Sequence, residues 1–220
     1  MKTILQAVQA VLEEVPDHVT VVAAAKQRSP AEIDAVARAG IPHIGQNYVQ
    51  EAADLKRDVT EDVSWRMIGH LQRNKARQAV ALFDWIDSID SLRLARRVDR
   101  FCAEMGKVMP VLLEINSGRE ANKTGFFPEK IDAVLPELAA LSHLKIHGLM
   151  TMGPRFGNPE DSRPYFVETR RIFERIAASP PAGVEMSILS MGMSNSYRVA
   201  IEEGATMIRL GTALFGSRKG

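Results

Sequence analysis

Eight short apolar runs alternate with longer stretches of helical spacing along this 220-residue chain. That alternation constrains the fold more than any other feature. The runs fall at 19–24, 43–45, 65–69, 85–89, 108–115, 144–150, 185–189 and 207–210, the second being the weakest. A strand followed by a helix returns to its sheet by a right-handed crossover and pairs in parallel. Ser29-Pro30 opens the helix after the first run, and Pro128 the helix after the fifth. Others are expected at about 47–57, 75–83, 92–105, 162–178 and 194–203. Ile4, Leu5, Val8, Val11, Leu12 and Val15 add an amphipathic helix before the first strand. Eight units are the number that closes a (β/α)8 barrel. An open doubly wound sheet is the runner-up, but no G-x-G-x-x-G turn follows the first run. The expectation is an α/β chain: one TIM-type barrel domain over residues 1–220 with an extra N-terminal helix.

Composition narrows the partners. Twenty-eight basic against 27 acidic residues leave a net charge of +1, too little for a general pull on nucleic acid or anionic membrane. Arg93, Arg96, Arg97 and Arg100 form a basic stretch whose spacing suits an exposed helix face. A single cysteine, Cys102, excludes an intramolecular disulfide or a cysteine metal cluster and reads as a structural thiol. The five histidines show no metal-ligand spacing. Gln6, Gln9, Glu13 and Glu14 interrupt the N-terminal apolar stretch, so it does not read as a signal, and nothing approaches the roughly 20 apolar residues of a membrane span. A cytoplasmic protein without metal, membrane or nucleic-acid partner is expected.

In such a barrel the chemistry sits at the C-terminal ends of the strands. The first run ends in Ala23-Ala24-Ala25-Lys26: a lysine beside small residues and an apolar wall. Partial desolvation there would lower the amine's pKa and suit it to forming a Schiff base. The seventh run leads into Ser190-Met191-Gly192-Met193-Ser194 and the eighth into Arg209-Leu210-Gly211-Thr212. Amides at helix starts, with Ser and Thr hydroxyls, bind anions, and barrels often place phosphate after strands seven and eight. An aldehyde-seeking amine facing a phosphate grip suits pyridoxal 5′-phosphate. Asn47 and His70 supply groups to orient its ring, although Asn47 reads equally as a helix N-cap. Arg209 falls near the pyridine nitrogen, where a permanent cation disfavours protonation and weakens the ring as an electron sink. Lys123 is either a staging amine for the cofactor or a solvated loop lysine.

Seven stretches in order then carry a specific resemblance. They are Gly45-Gln46-Asn47-Tyr48-Val49-Gln50-Glu51, Trp65-Arg66-Met67-Ile68-Gly69-His70-Leu71-Gln72-Arg73-Asn74-Lys75, Asn122-Lys123-Thr124-Gly125, His147-Gly148-Leu149-Met150-Thr151-Met152, residues 189–194 and residues 208–216, besides the lysine motif at 22–26. The chain resembles the pyridoxal-phosphate homeostasis proteins of the YggS/PROSC type. The resemblance implies a barrel like the N-terminal domain of alanine racemase and a Schiff base on Lys26. It implies phosphate contacts from residues 190–194, Gly211 and Thr212, with Arg209 beside the pyridine nitrogen. It further implies a monomer that buffers the cofactor, without established turnover; apo forms of cofactor-dependent enzymes are the partners expected of such a carrier. Gln46 stands where a glutamate is common, and Ser196 and Arg198 replace common acidic residues. A barrel-type racemase is the alternative. Its opposing tyrosine comes, by the same resemblance, from an additional β-domain, and eight units consume nearly all 220 residues, which favours a carrier.

Overall fold

The computed structural model describes residues 3–154 and 157–217. Its strands are β1 Thr20–Ala24, β2 His43–Gln46, β3 Ser64–Met67, β4 Trp85–Ile89, β5 Met109–Ile115, β6 Leu144–Thr151, β7 Val184–Ser190 and β8 Met207–Leu210. Each pairs in parallel with the next, and β8 pairs with β1 to close the barrel. The described helices are α1 Ile4–Glu14, α2 Pro30–Arg38, α3 Val49–Asp58, α4 Ala76–Leu82, α5 Leu92–Glu104, α6 Ile131–Ala139, α7 Arg163–Ala178, α8 Tyr197–Glu202 and α9 Thr212–Phe215. Fold class and strand count are those the alternation implied.

Strand alternation divides the buried apolar side chains into two clusters. Ala23, Ile44, Met67, Leu113, Leu149, Leu189 and Leu210 face outward into the large core beneath the helices. Val22, Ile68, Leu112, Met150 and Met207 form a separate small cluster, which fills the lumen. Period-2 geometry then sends Arg66, Glu114, Ser190 and Arg209 into the lumen as well, since each lies two residues from a lumen-facing neighbour. The polar groups are therefore concentrated inside the barrel, not at its outer face.

Local signals place some helices and miss others. Ser29 and Glu32 form a reciprocal capping box at the start of α2, with Pro30 in its first turn, as the sequence implied. Three other starts differ. Tyr48, not Asn47, precedes α3, and no side chain caps it. Pro128 lies in the turn before α6, which begins at Ile131. α8 begins at Tyr197 instead of residue 194, and the Ser194 hydroxyl accepts from the Gly211 amide instead of capping the helix. Cys102 is fully buried, and burial pushes its thiol up to about 11, with Asp99 adding in the same direction. It is an unreactive structural thiol. Among the described residues no helix is long and apolar enough to cross a membrane.

Candidate functional site

The register brings the ends of β1 and β8 together, with Val22 opposite Arg209 and Ala23 opposite Leu210. Lys26 follows β1, and its half-buried amine donates to the Tyr48 hydroxyl at 3.3 Å. Its ammonium also lies 4.9 Å from the centre of the Tyr48 ring. The next residue, Gln27, has φ +58°, an uncommon conformation for a side-chain-bearing residue, and its amide is bound by the Glu51 carboxylate. Beneath this turn the fully buried Gln46 donates its amide to the Ala25 carbonyl at 3.0 Å. A carboxylate at position 46 could not make that donation. The backbone beside Lys26 is thus fixed from two directions.

Across the seam, Ser194 Oγ accepts from the amides of Gly211 (3.1 Å) and Ala213 (3.2 Å). Two N–H groups converging on one oxygen form the arrangement a phosphate oxygen needs. α9 has four residues, so this grip rests on individual amides and not on a helix dipole. Gly192 takes φ +90°, and a Cβ there would come within 2.6 Å of Ala200 Cβ and 2.9 Å of Tyr197 Cα. Only glycine makes that turn without displacing α8. At Gly211 a Cβ would make only ordinary contacts, the nearest being the Ala24 carbonyl at 3.5 Å, which places the cradle directly against the end of β1.

Arg209 lies inside the barrel below both, almost fully buried. It donates to Ser190 Oγ at 2.6 Å and to the Thr151 carbonyl at 2.8 Å. Burial lowers its pKa to about 10 while Asp87 and Glu114 support its charge, so it remains a cation at neutral pH. Glu114 shares the lumen. Thr124 donates to its Oε1 at 3.2 Å, and its Oε2 has no hydrogen-bond partner. Burial pushes this carboxyl up to about 7; the Asp90 charge adds to the rise, while Thr124, His70 and Arg209 oppose it.

The alanine racemase N-terminal domain family matches residues 2–219. The chain is 39% identical to the pyridoxal phosphate homeostasis protein of Synechocystis sp. (strain ATCC 27184 / PCC 6803 / Kazusa), over 94% of this chain and 95% of that protein. It belongs to the pyridoxal phosphate homeostasis proteins. PipY of Synechococcus elongatus PCC7942, a structural neighbour, superposes with TM-score 0.92 without pyridoxal phosphate and 0.89 with it bound, at 36% and 35% identity. In both, 97% of this chain and 100% of that one are covered. Alanine racemase of Clostridium difficile 630 is 13% identical with TM-score 0.76, covering 99% of this chain and 56% of that one, which shows a shared fold alone.

Within this family member, some of the residues singled out in the sequence come together and others do not. Lys26, Gly192, Ser194, Arg209 and Gly211 come together around the β1–β8 seam. Met193 and Thr212 flank them, Met193 half-buried with its amide on Ser196 Oγ and Thr212 exposed as the first residue of α9. Ser190 and Met191 are fully buried: the Ser190 hydroxyl is taken by Arg209, and the Met191 side chain belongs to the outer core. Asn47 is half-buried after β2, and its backbone lies where a Cβ on Gly69 would clash at 2.6 Å. Lys123 reaches Glu120 at 2.6 Å. Sequence reasoning gave no role to Glu114, although its signal was present: an acid at the inward phase of an otherwise apolar strand.

Proposed function

We propose that this protein holds pyridoxal 5′-phosphate at the mouth of its barrel and acts as a non-catalytic carrier in intracellular vitamin B6 homeostasis. The observation that carries this reading is the convergence of the Lys26 amine and the Gly211–Ala213 amides on one seam. When bound, the cofactor supplies an aldehyde that condenses with amines and a ring that draws electrons. Lys26 Nζ is the covalent attachment point. Ser194, Gly211, Thr212 and the backbone of residues 190–193, including Met191, Gly192 and Met193, take the phosphate. Asn47 borders the ring, and Arg209, held by Ser190 and Thr151, keeps a cation near the pyridine nitrogen and disfavours a proton there. Apo forms of cofactor-dependent enzymes are the proposed recipients, and residues 1–220 are proposed to act as one cytoplasmic, monomeric unit.

The residues present fit that ligand: the amine has one weak neutral partner, and the cradle amides bond a single hydroxyl that a phosphate oxygen can replace. A racemase needs a second acid–base group on the opposite face. Tyr48 lies on the same side as Lys26, Tyr197 donates to Glu14, and Tyr165 packs against Gly118. Tyr165 and Tyr197 are thus engaged away from Lys26, and Tyr48 shares its hydroxyl with that same amine, which supports a carrier over an enzyme.

Borohydride reduction after incubation with pyridoxal phosphate, followed by peptide mass spectrometry, tests the site. The expected result is one predominant adduct on Lys26, absent in Lys26→Ala together with the near-ultraviolet cofactor absorbance. Absence of that adduct in the wild type would overturn the reading. Alanine D/L exchange should show no Lys26-dependent turnover; sustained turnover would restore the racemase.

A further inference from the structure

A groove of about 970 Å³ opens beside the barrel mouth, between the loop after β3 and the exposed face of α5. Arg73 forms part of one wall; Arg93, Arg96, Arg97 and Arg100 form the other. Asp90 is the only acidic lining residue, set against five arginines in a chain whose net charge is +1. Arg96 is paired with Glu137 and Arg100 with Glu104. Arg73, Arg93 and Arg97 have no carboxylate partner among the described residues.

Such a density of like charge repels itself, and the stacking of Arg97 and Arg100 on Phe101 leaves their charge unneutralised or only partly so. We infer that this groove is a docking site for an acidic, extended segment of a partner protein. Arginine forks match carboxylates in paired hydrogen bonds. From Arg93 to Arg100 the helix rises about 10 Å, too far for one small anion to engage every guanidinium. Alternate carboxylates of an extended peptide lie about 7 Å apart on one side and can follow that row. No Phe, Tyr or Trp lines the groove, so beyond the single imidazole of His70 it lacks the successive stacking platforms that single-stranded nucleic acid uses. His70 and Thr124 line its upper end, so a docked segment lies next to the mouth. The docking itself does not depend on what the mouth holds.

The test is fluorescence anisotropy of a labelled decapeptide of alternating Glu and Ser with the full-length protein, at low and at physiological salt. Saturable binding that weakens with salt is expected. The R93E/R97E variant should weaken it by roughly tenfold or more, about 1.4 kcal/mol. A charge-matched control, R57E/R175E, alters exposed arginines of α3 and α7 and should leave affinity within about twofold. R93Q/R97Q, expected to be intermediate, serves if charge reversal disturbs folding. No saturable binding at low salt, an equal loss in the control, or tighter binding of an oligothymidylate of equal charge would each overturn the inference.

Discussion

Two sides of the lumen carry buried charge in opposite ways. On the β3–β4 side, Arg66 grips Asp87 through two bonds of 2.8 and 2.9 Å, with both side chains at most 2% exposed, and its guanidinium stacks on Trp85 at 4.1 Å. Every charged group there faces its opposite. On the β5–β8 side, Arg209 is bonded only to a hydroxyl and a carbonyl, and Glu114 only to a hydroxyl. A buried pair that is closed on itself serves the fold. Buried ions that meet only neutral partners retain capacity for something else, and the proposed cofactor site lies on that side.

The largest expected effect comes from breaking the closed pair. Asp87→Ala strands a buried guanidinium and should cost about 3–5 kcal/mol in urea denaturation. A cost below about 1 kcal/mol would erase the contrast. Glu114→Gln should act in the opposite direction. The Glu114 carboxyl has its pKa raised to about 7 in the folded chain, against 4.5 as its ordinary value. Between those values the unfolded chain has released the proton that the folded chain keeps, so this group's contribution falls as pH rises from about 4.5 to about 7. Above pH 7 the deficit is about 3 kcal/mol. Glu114→Gln, whose carbonyl can still accept from Thr124, should therefore be more stable than wild type at pH 8 and equal to it near pH 4. Burial lowers the pKa of both His43 and His147, which tilts the wild-type profile the other way. The difference between the two proteins isolates Glu114. The smallest effect belongs to the cradle: Ser194→Ala removes the shared acceptor of two amides and should cost about 1 kcal/mol. Added phosphate should recover part of that loss in a thermal melt.

The barrel was legible because its signal is repeated eight times and each repeat is local. Lys26 and the two small-residue turns were legible for the same reason: the topology rule converts a strand end into a place. What the sequence hid depends on partners distant in the chain. Ser194 looks like a helix start, yet its hydroxyl serves amides 17 and 19 residues onward. Asn47 looks like an N-cap, yet the helix begins two residues later without side-chain help. Arg66 lay inside a motif without a visible task until the fold set it against Asp87, 21 residues away. The spacing of the α5 arginines reveals their exposed face, but only the fold brings Arg73 to the same groove.

Arg209 has one more consequence. β7 and β8 share a single register pair, Ser190 opposite Met207, whereas β5 and β6 share seven. One guanidinium nevertheless ties the ends of β6 and β7 to β8 through Thr151 and Ser190. The seam with the shortest ladder is thus laced by a side chain. A ligand that draws on that side chain also sets the tension of the lacing, so occupancy should be readable as slowed hydrogen exchange along β7 and β8, away from any atom the ligand touches.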